Sequence, residues 1–210
     1  MSGIVVVDYG AGNLRSVANA LESLGRKATI ADTPESILDA SVIILPGVGA
    51  FGDGMDGLRK RDLVEPLTEA VMGRRTPYLG ICLGMQFVAR EGFENGTHAG
   101  LDWLPAAVRR IEPADPRFKV PHMGWNDVRI ERPGVLFAGL EPAPVFYFVH
   151  SYHLDVEPSA WHAVTTTCTH GVTMAASIER DNVFGVQFHP EKSQQAGLRV
   201  LENFLRAVGA

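Results

Sequence analysis

Ile4 to Val7 and Val42 to Leu45 are unbroken apolar runs, too short for helices and rich in β-branched residues. Runs of that kind belong to strands covered on both faces, which is the situation inside a parallel sheet flanked by helices. Pro77 to Ile81 reads as another such strand, and Lys27 to Ala31 as one more. Between the first two strands Leu14, Val17, Ala18, Leu21 and Leu24 recur at helical spacing, with Gly25 as a C-terminal stop. Thr33 and Pro34 suit the N-cap and first position of a short helix. Past a glycine-rich stretch from Gly47 to Gly57, Leu58 to Met72 predict a further helix. This alternation of strand and helix specifies a parallel, doubly wound sheet.

Beyond about residue 105 the pattern changes to short alternating strands, at Trp125 to Ile130, Val145 to Tyr152, Val172 to Ile178 and Val183 to Phe188. A closing helix over Gln194 to Val208 puts Leu198, Leu201, Phe204, Leu205 and Val208 on one stripe. The expected fold is therefore α/β: an open, mostly parallel twisted sheet with flanking helices and additional antiparallel strands in the C-terminal half. At 210 residues and 46% hydrophobic content it reads as a single domain spanning 1–210. The net charge of -5 leaves no basic surplus to hold a phosphate backbone, so nucleic acid is not an expected partner. No apolar stretch approaches the ~20 residues that span a bilayer, and no basic, apolar leader follows Met1. A soluble, cytoplasmic protein without membrane contact is expected.

Only Cys82 and Cys168 are present, too few for a disulfide framework. Gly80-Ile81-Cys82-Leu83-Gly84 joins the strand ending at Ile81 to a helical stretch beginning near Leu83, the layout of a nucleophile elbow with cysteine in the serine position. Glycines on both sides let strand and helix approach closely around a strained residue. A helix N-terminus beneath the sulfur favours the thiolate, and the Leu83 amide would face an oxyanion. A buried, inert cysteine is the plainer alternative; the elbow glycines argue against it.

His189-Pro190-Glu191 follows the apolar run Val183 to Phe188, so the histidine emerges at a strand end. In an extended segment His189 and Glu191 point the same way, and a carboxylate there would orient an imidazole acting as base and then acid. His-x-Glu alone is a weak signal; joined to the elbow it is strong. Pro46-Gly47-Val48-Gly49 sits just after the third strand, where open sheets place ligand-contacting loops, and an amide from it, with Val48 the best candidate, would pair with that of Leu83 as an oxyanion hole. Gly10-Ala11-Gly12 begins like a dinucleotide fingerprint, but Arg15 stands in the third glycine position. His150 and His153 face opposite sides of a strand and cannot readily share a metal; Cys168 and His170 lack further ligands, and His98, His122 and His162 read as surface or hydrogen-bonded residues. No metal or cofactor is expected.

The segment Gly80 to Gln86 together with His189-Pro-Glu191 resembles the class I, triad-type glutamine amidotransferases. Asp8-Tyr-Gly-Ala-Gly-Asn13, Pro46-Gly-Val-Gly49, Val120-Pro-His-Met-Gly-Trp-Asn126 and Tyr147-Phe-Val-His-Ser-Tyr152 resemble, more narrowly, the glutaminase subunits of imidazole glycerol phosphate synthases. That resemblance implies hydrolysis of glutamine through a Cys82 thioester, with His189 as base and acid and Glu191 orienting it, and ammonia passed to a separate (β/α)8-barrel cyclase subunit in a heterodimer of histidine biosynthesis. It implies glutamine contacts at Gly47, Gly49, Gln86, His150, Ser151 and Tyr152, and a partner face or tunnel at Asn13, Trp125, Tyr147 and Lys192. Arg90 to Gly100 match no pattern. Three alternatives stand beside it: the glutaminase subunit of another class I amidotransferase, a catalytically silent binding module of the same fold, and a stand-alone hydrolase that turns over glutamine without a partner.

Overall fold

The computed structural model describes residues 3–210; positions 1 and 2, where a leader would begin, lie outside it. The N-terminal half runs β1 (Ile4–Val7), α1 (Leu14–Ser23), β2 (Ala28–Ala31), α2 (Pro34–Leu38), β3 (Val42–Gly47), α3 (Phe51–Lys60), α4 (Val64–Thr68), which continues into a π-turn at Glu69–Gly73, then β4 (Tyr78–Cys82) and α5 (Leu83–Gln86). There follow β5 (Ala89–Gly92), β6 (His98–Ala99), β7 (Leu104–Arg110), β8 (His122–Asp127), β9 (Arg129–Ile130), β10 (Val145–His150), β11 (Tyr152–Val156), β12 (Val164–Thr169), β13 (Thr173–Arg180), β14 (Val183–Val186) and α6 (Gln194–Ala207).

The main sheet has the order β2-β1-β3-β4-β14-β13-β12-β9. Its pairings are parallel from β2 to β14 and antiparallel from there to β9. Val5 and Val7 enter one apolar cluster with Ile37, Met55, Leu58 and Leu67, whereas Ile4 and Val6 enter another with Val17, Leu21, Leu201 and Phe204. Helices on both faces thus account for the unbroken apolar run of β1. The cap expected of Thr33 forms, with its Oγ1 accepting from Ser36 N at 3.4 Å. Among the described residues no helix is long and apolar enough to cross a membrane.

Three sequence expectations are corrected. The helix expected over Leu58 to Met72 starts earlier, at Phe51, and the chain breaks after Lys60, where Asp62 takes φ 54°. Gly52, Gly54 and Gly57 lie inside α3, not in a loop, because the helix is pressed against its neighbours there. A Cβ at Gly54 would stand 2.5 Å from the Phe87 ring, and one at Gly57 2.5 Å from the Tyr9 carbonyl oxygen. Close packing offsets the ~1 kcal/mol that each helical glycine costs. The strand expected over Trp125 to Ile130 is two, β8 pairing with β10 and β9 with β12, and Val145 to Tyr152 divides at Ser151 into β10 and β11 of different sheets. Alternation fixes which way side chains point, not which sheet a strand joins.

Candidate active site

Parallel pairing aligns Gly47 with Cys82 and Val186 with Ile81, so β3, β4 and β14 deliver their C-terminal ends to one place. Cys82 sits on the turn from β4 to α5 with φ 54° and ψ -107°, a conformation a side-chain-bearing residue holds only under constraint. The constraint is steric closeness on both flanks. A Cβ at Gly80 would lie 2.5 Å from the Gly84 carbonyl oxygen, and one at Gly84 would collide with the Leu45 carbonyl. The Cys82 side chain is left against a cavity of about 540 Å³ lined also by Val48, Gly49, Leu83, Gln86, Glu94, His150, Ser151 and Tyr152. Leu83 is the first residue of α5, so its amide has no partner within the helix.

His189 leaves the β14 edge on a backbone bond from its own N–H to the Tyr147 carbonyl at 2.9 Å. Its Nδ1 lies 2.8 Å from Glu191 Oε1, with both side chains buried, at 2% and 1% exposure. The expected partners meet, but on a different backbone. Pro190–Lys192 is a 3₁₀ turn and not an extended continuation of the strand. Nε2 of His189 is buried with no hydrogen-bond partner of its own. Burial opposes the imidazolium, yet the Cys82 sulfur and the Glu191 carboxylate outweigh it and raise the His189 pKa to about 9. The Cys82 sulfur is thus near enough to act on the charge of the His189 ring.

This shift has a consequence for stability. A group whose pKa rises on folding binds its proton more tightly in the native state, so its contribution is complete below pH 6.5 and is lost as pH climbs through about 9. Urea midpoints should fall over that interval, and the His189→Asn variant should lack that part of the slope. An unchanged slope in the variant would assign the effect to another group.

Of the remaining candidates, Val48, Gly49, Leu83, Gln86, His150, Ser151 and Tyr152 come together around the cavity, whereas Gly47 is not among its lining residues. A Cβ at Gly47 would collide with the Tyr9 hydroxyl and stand 2.7 Å from Leu83 Cβ, so a glycine is required where β3 passes the elbow. Tyr9 is buried, with its hydroxyl lacking any partner within hydrogen-bond limits. Burial and the Cys82 charge push its pKa above the usual range, while the Val48 amide acts in the opposite sense. Gln86 Nε2 donates to the Tyr152 carbonyl at 2.9 Å and to Gln187 Oε1 at 3.0 Å, so only its carbonyl is left for a ligand.

His122 Nδ1 and His150 Nε2 are 2.9 Å apart, and His150 Nδ1 is 2.8 Å from the Tyr152 carbonyl. The carbonyl can only accept, so His150 carries its proton on Nδ1 and its Nε2 accepts a hydrogen bond from His122 Nδ1–H. Burial lowers both pKa values, to about 4 for His122 and about 3 for His150, which keeps the pair neutral. Trp125, Tyr147 and Lys192 gather away from this cavity. Trp125 meets the Tyr147 ring edge-on at 6.0 Å, and Lys192 Nζ stands 5.8 Å over that ring. Asn13 caps α1 by position, without a side-chain cap bond.

Glu94 was not singled out in the sequence. It lies in the unmatched segment Arg90 to Gly100, yet lines the cavity and accepts the Phe51 amide at 2.8 Å. Nothing in its neighbourhood distinguishes it from a surface glutamate. A larger groove of about 970 Å³ borders Trp125, Leu140, Ser193 and Arg199, but neither cysteine nor histidine lines it, unlike the smaller cavity at Cys82.

The family model for glutamine amidotransferase class-I matches residues 5–208. The chain belongs to that family. Among class-I amidotransferases it is 50% identical over 204 residues to the imidazole glycerol phosphate synthase subunit HisH of Moorella thermoacetica, covering 97% of this chain and 94% of that one. It is 48% identical to the HisH subunit of Syntrophotalea carbinolica, covering 96% and 98%. Solved structures share the fold: a glutamine amidotransferase aligns with TM-score 0.76 at 20% identity, covering 99% of this chain and all of the other, and PurLQS from Thermotoga maritima aligns with TM-score 0.72 at 20%. The expected α/β class is thereby shown.

Proposed function

We propose that this amidotransferase is the glutaminase subunit of an imidazole glycerol phosphate synthase, acting as a single domain. The observation that carries the reading is Cys82 on a strained elbow, facing the cavity, with the His189–Glu191 pair as its acid–base neighbour. The Cys82 thiolate attacks the side-chain carboxamide carbon of glutamine, and its negative charge passes to the carbonyl oxygen. The Leu83 amide, free at the start of α5, receives that charge. A second donor is the Val48 amide, from the loop that lines the same cavity. His189, oriented by Glu191, gives its proton to the departing nitrogen, and ammonia leaves. Water then attacks the thioester, His189 takes its proton, the C–S bond breaks with its electron pair returning to sulfur, and glutamate is released. Glu94 offers a carboxylate suited to the α-ammonium group of glutamine, and Gln86, His150, Ser151 and Tyr152 line the same space.

The ammonia acceptor is a (β/α)8-barrel cyclase subunit, paired with this chain as a heterodimer through the face carrying Trp125, Tyr147, Lys192 and Asn13. The HisH names of relatives similar over nearly the whole chain support this reading. Glutamate release should be measured for this chain alone and then with the cyclase and its ribonucleotide ligand. Strong stimulation by the pair is expected. Full turnover without a partner would indicate an independent glutaminase, and indifference to the cyclase a different synthase.

A further inference from the structure

We infer that Gln187 is a further catalytic residue: its side-chain amide donates a hydrogen bond to the Cys82 sulfur and supports the nucleophile when the sulfur is anionic. Gln187 is fully buried, just beyond β14, with its backbone N–H on the Ala176 carbonyl at 2.9 Å. Two residues on, His189 emerges on the same side of the strand end, so one short segment sends two polar side chains the same way while Phe188 between them packs into the core. The Gln187 Nε2 to Cys82 Sγ distance is 3.5 Å.

The direction of this bond follows from its surroundings. The Tyr152 carbonyl can only accept, so the Gln86 atom 2.9 Å from it is the amide nitrogen. That nitrogen also meets Gln187 at 3.0 Å, where it must find an oxygen. Gln187 is thereby fixed with its oxygen towards Gln86 and its NH₂ towards the sulfur. The reverse orientation would set two NH₂ groups against each other and turn a carbonyl onto the thiolate. Gln86, one helical turn after Cys82, is the positioning residue for Gln187.

Such a donor differs from His189. A carboxamide cannot take the sulfur's proton, so it favours the thiolate without quenching it. Its support weakens as the thioester forms and sulfur becomes neutral. It returns when the C–S bond breaks after water has added, because the electron pair then goes back to sulfur. Gln187 thus acts most in the step that releases glutamate.

This inference rests on Cys82 as the nucleophile, and its test needs neither glutamine nor a partner. The pH dependence of Cys82 alkylation by iodoacetamide is followed by peptide mass spectrometry, which separates Cys82 from Cys168, in the full chain and in Gln187→Met and Gln187→Glu. Methionine keeps the volume and removes the donor; glutamate keeps an acceptor for Gln86 and sets a negative charge beside the sulfur. The alkylation midpoint should rise by about one pH unit in Gln187→Met, the scale of one hydrogen bond to a charged group, and by more in Gln187→Glu. A merely structural glutamine would leave the midpoint of a folded variant where it is, and that result overturns the inference. If Gln187→Met does not fold, Gln187→Leu, which also removes the donor without adding a charge, decides in its place. A raised midpoint in a protein whose Cys82→Ala variant still hydrolyses glutamine would keep the assigned donor and remove the proposed function.

Discussion

Cys82→Ala abolishes glutamine-dependent synthesis by the complex while the cyclase continues to work on added ammonium salt. Alanine removes the sulfur that must form and release the thioester, so no covalent route to ammonia remains. Removing a nucleophile from a site organised around it typically costs ~10⁶-fold, with only binding and the oxyanion donors left over. The substitution should otherwise be quiet. Cys82 is small, and its burial is that of a side chain at a cavity wall, so the fold has little to lose from the missing atom. The φ of 54° remains a requirement that alanine meets no worse than cysteine. Both activities are measured on one preparation, with glutamine and then with ammonium chloride. Loss of the ammonium-dependent reaction as well would mean that the chain contributes more to the acceptor chemistry than ammonia, contradicting the division of labour between subunits. Retained glutamine use would remove Cys82 from the mechanism.

How much of this was legible in the residues depends on which physical constraint wrote them. β1 was readable to the residue because burial on both faces demands an apolar side chain at every position. The elbow was readable because Gly80 and Gly84 answer to backbone contacts that admit nothing larger. The glycines of α3 answer to the same kind of contact, against Phe87 and Tyr9, but the residues pressing on them are distant in sequence, so there the same amino acid reads as a loop. The pairing of His189 with Glu191 was reached through strand parity, whereas the chain achieves it through a 3₁₀ turn that Pro190 begins. Spacing determined the partners and left the backbone open. Glu94, Tyr9 and Gln187 owe their positions to contacts with Phe51, Gly47 and Gln86, each from another element, and no local pattern reports such meetings.

Gly84→Ala should destabilise the protein by roughly 3 kcal/mol or more, the cost of overpacking where nothing yields. The added methyl would be driven into the carbonyl of Leu45, on the strand next to β4, with Leu45 Cβ also in range at 3.6 Å. Backbone cannot swing aside as the end of a flexible side chain can. Relief requires α5 to lift from β3, and Cys82 opens α5, so the sulfur moves with it. The Tyr78 hydroxyl bond to the Gly84 carbonyl, 2.7 Å and buried, would be stretched by the same shift. Urea unfolding and glutamine turnover should therefore fail together. Gly73→Ala is the matched control: a Cβ there meets only Glu69 Cγ, at 3.9 Å, and its φ is not in the left-handed region. That change should be neutral or slightly stabilising, since alanine restricts the unfolded chain at a position whose native conformation it tolerates. Equal midpoints for the two variants would mean that the strand–helix contact at the elbow is looser than the geometry requires, and the strain at Cys82 would then need another source.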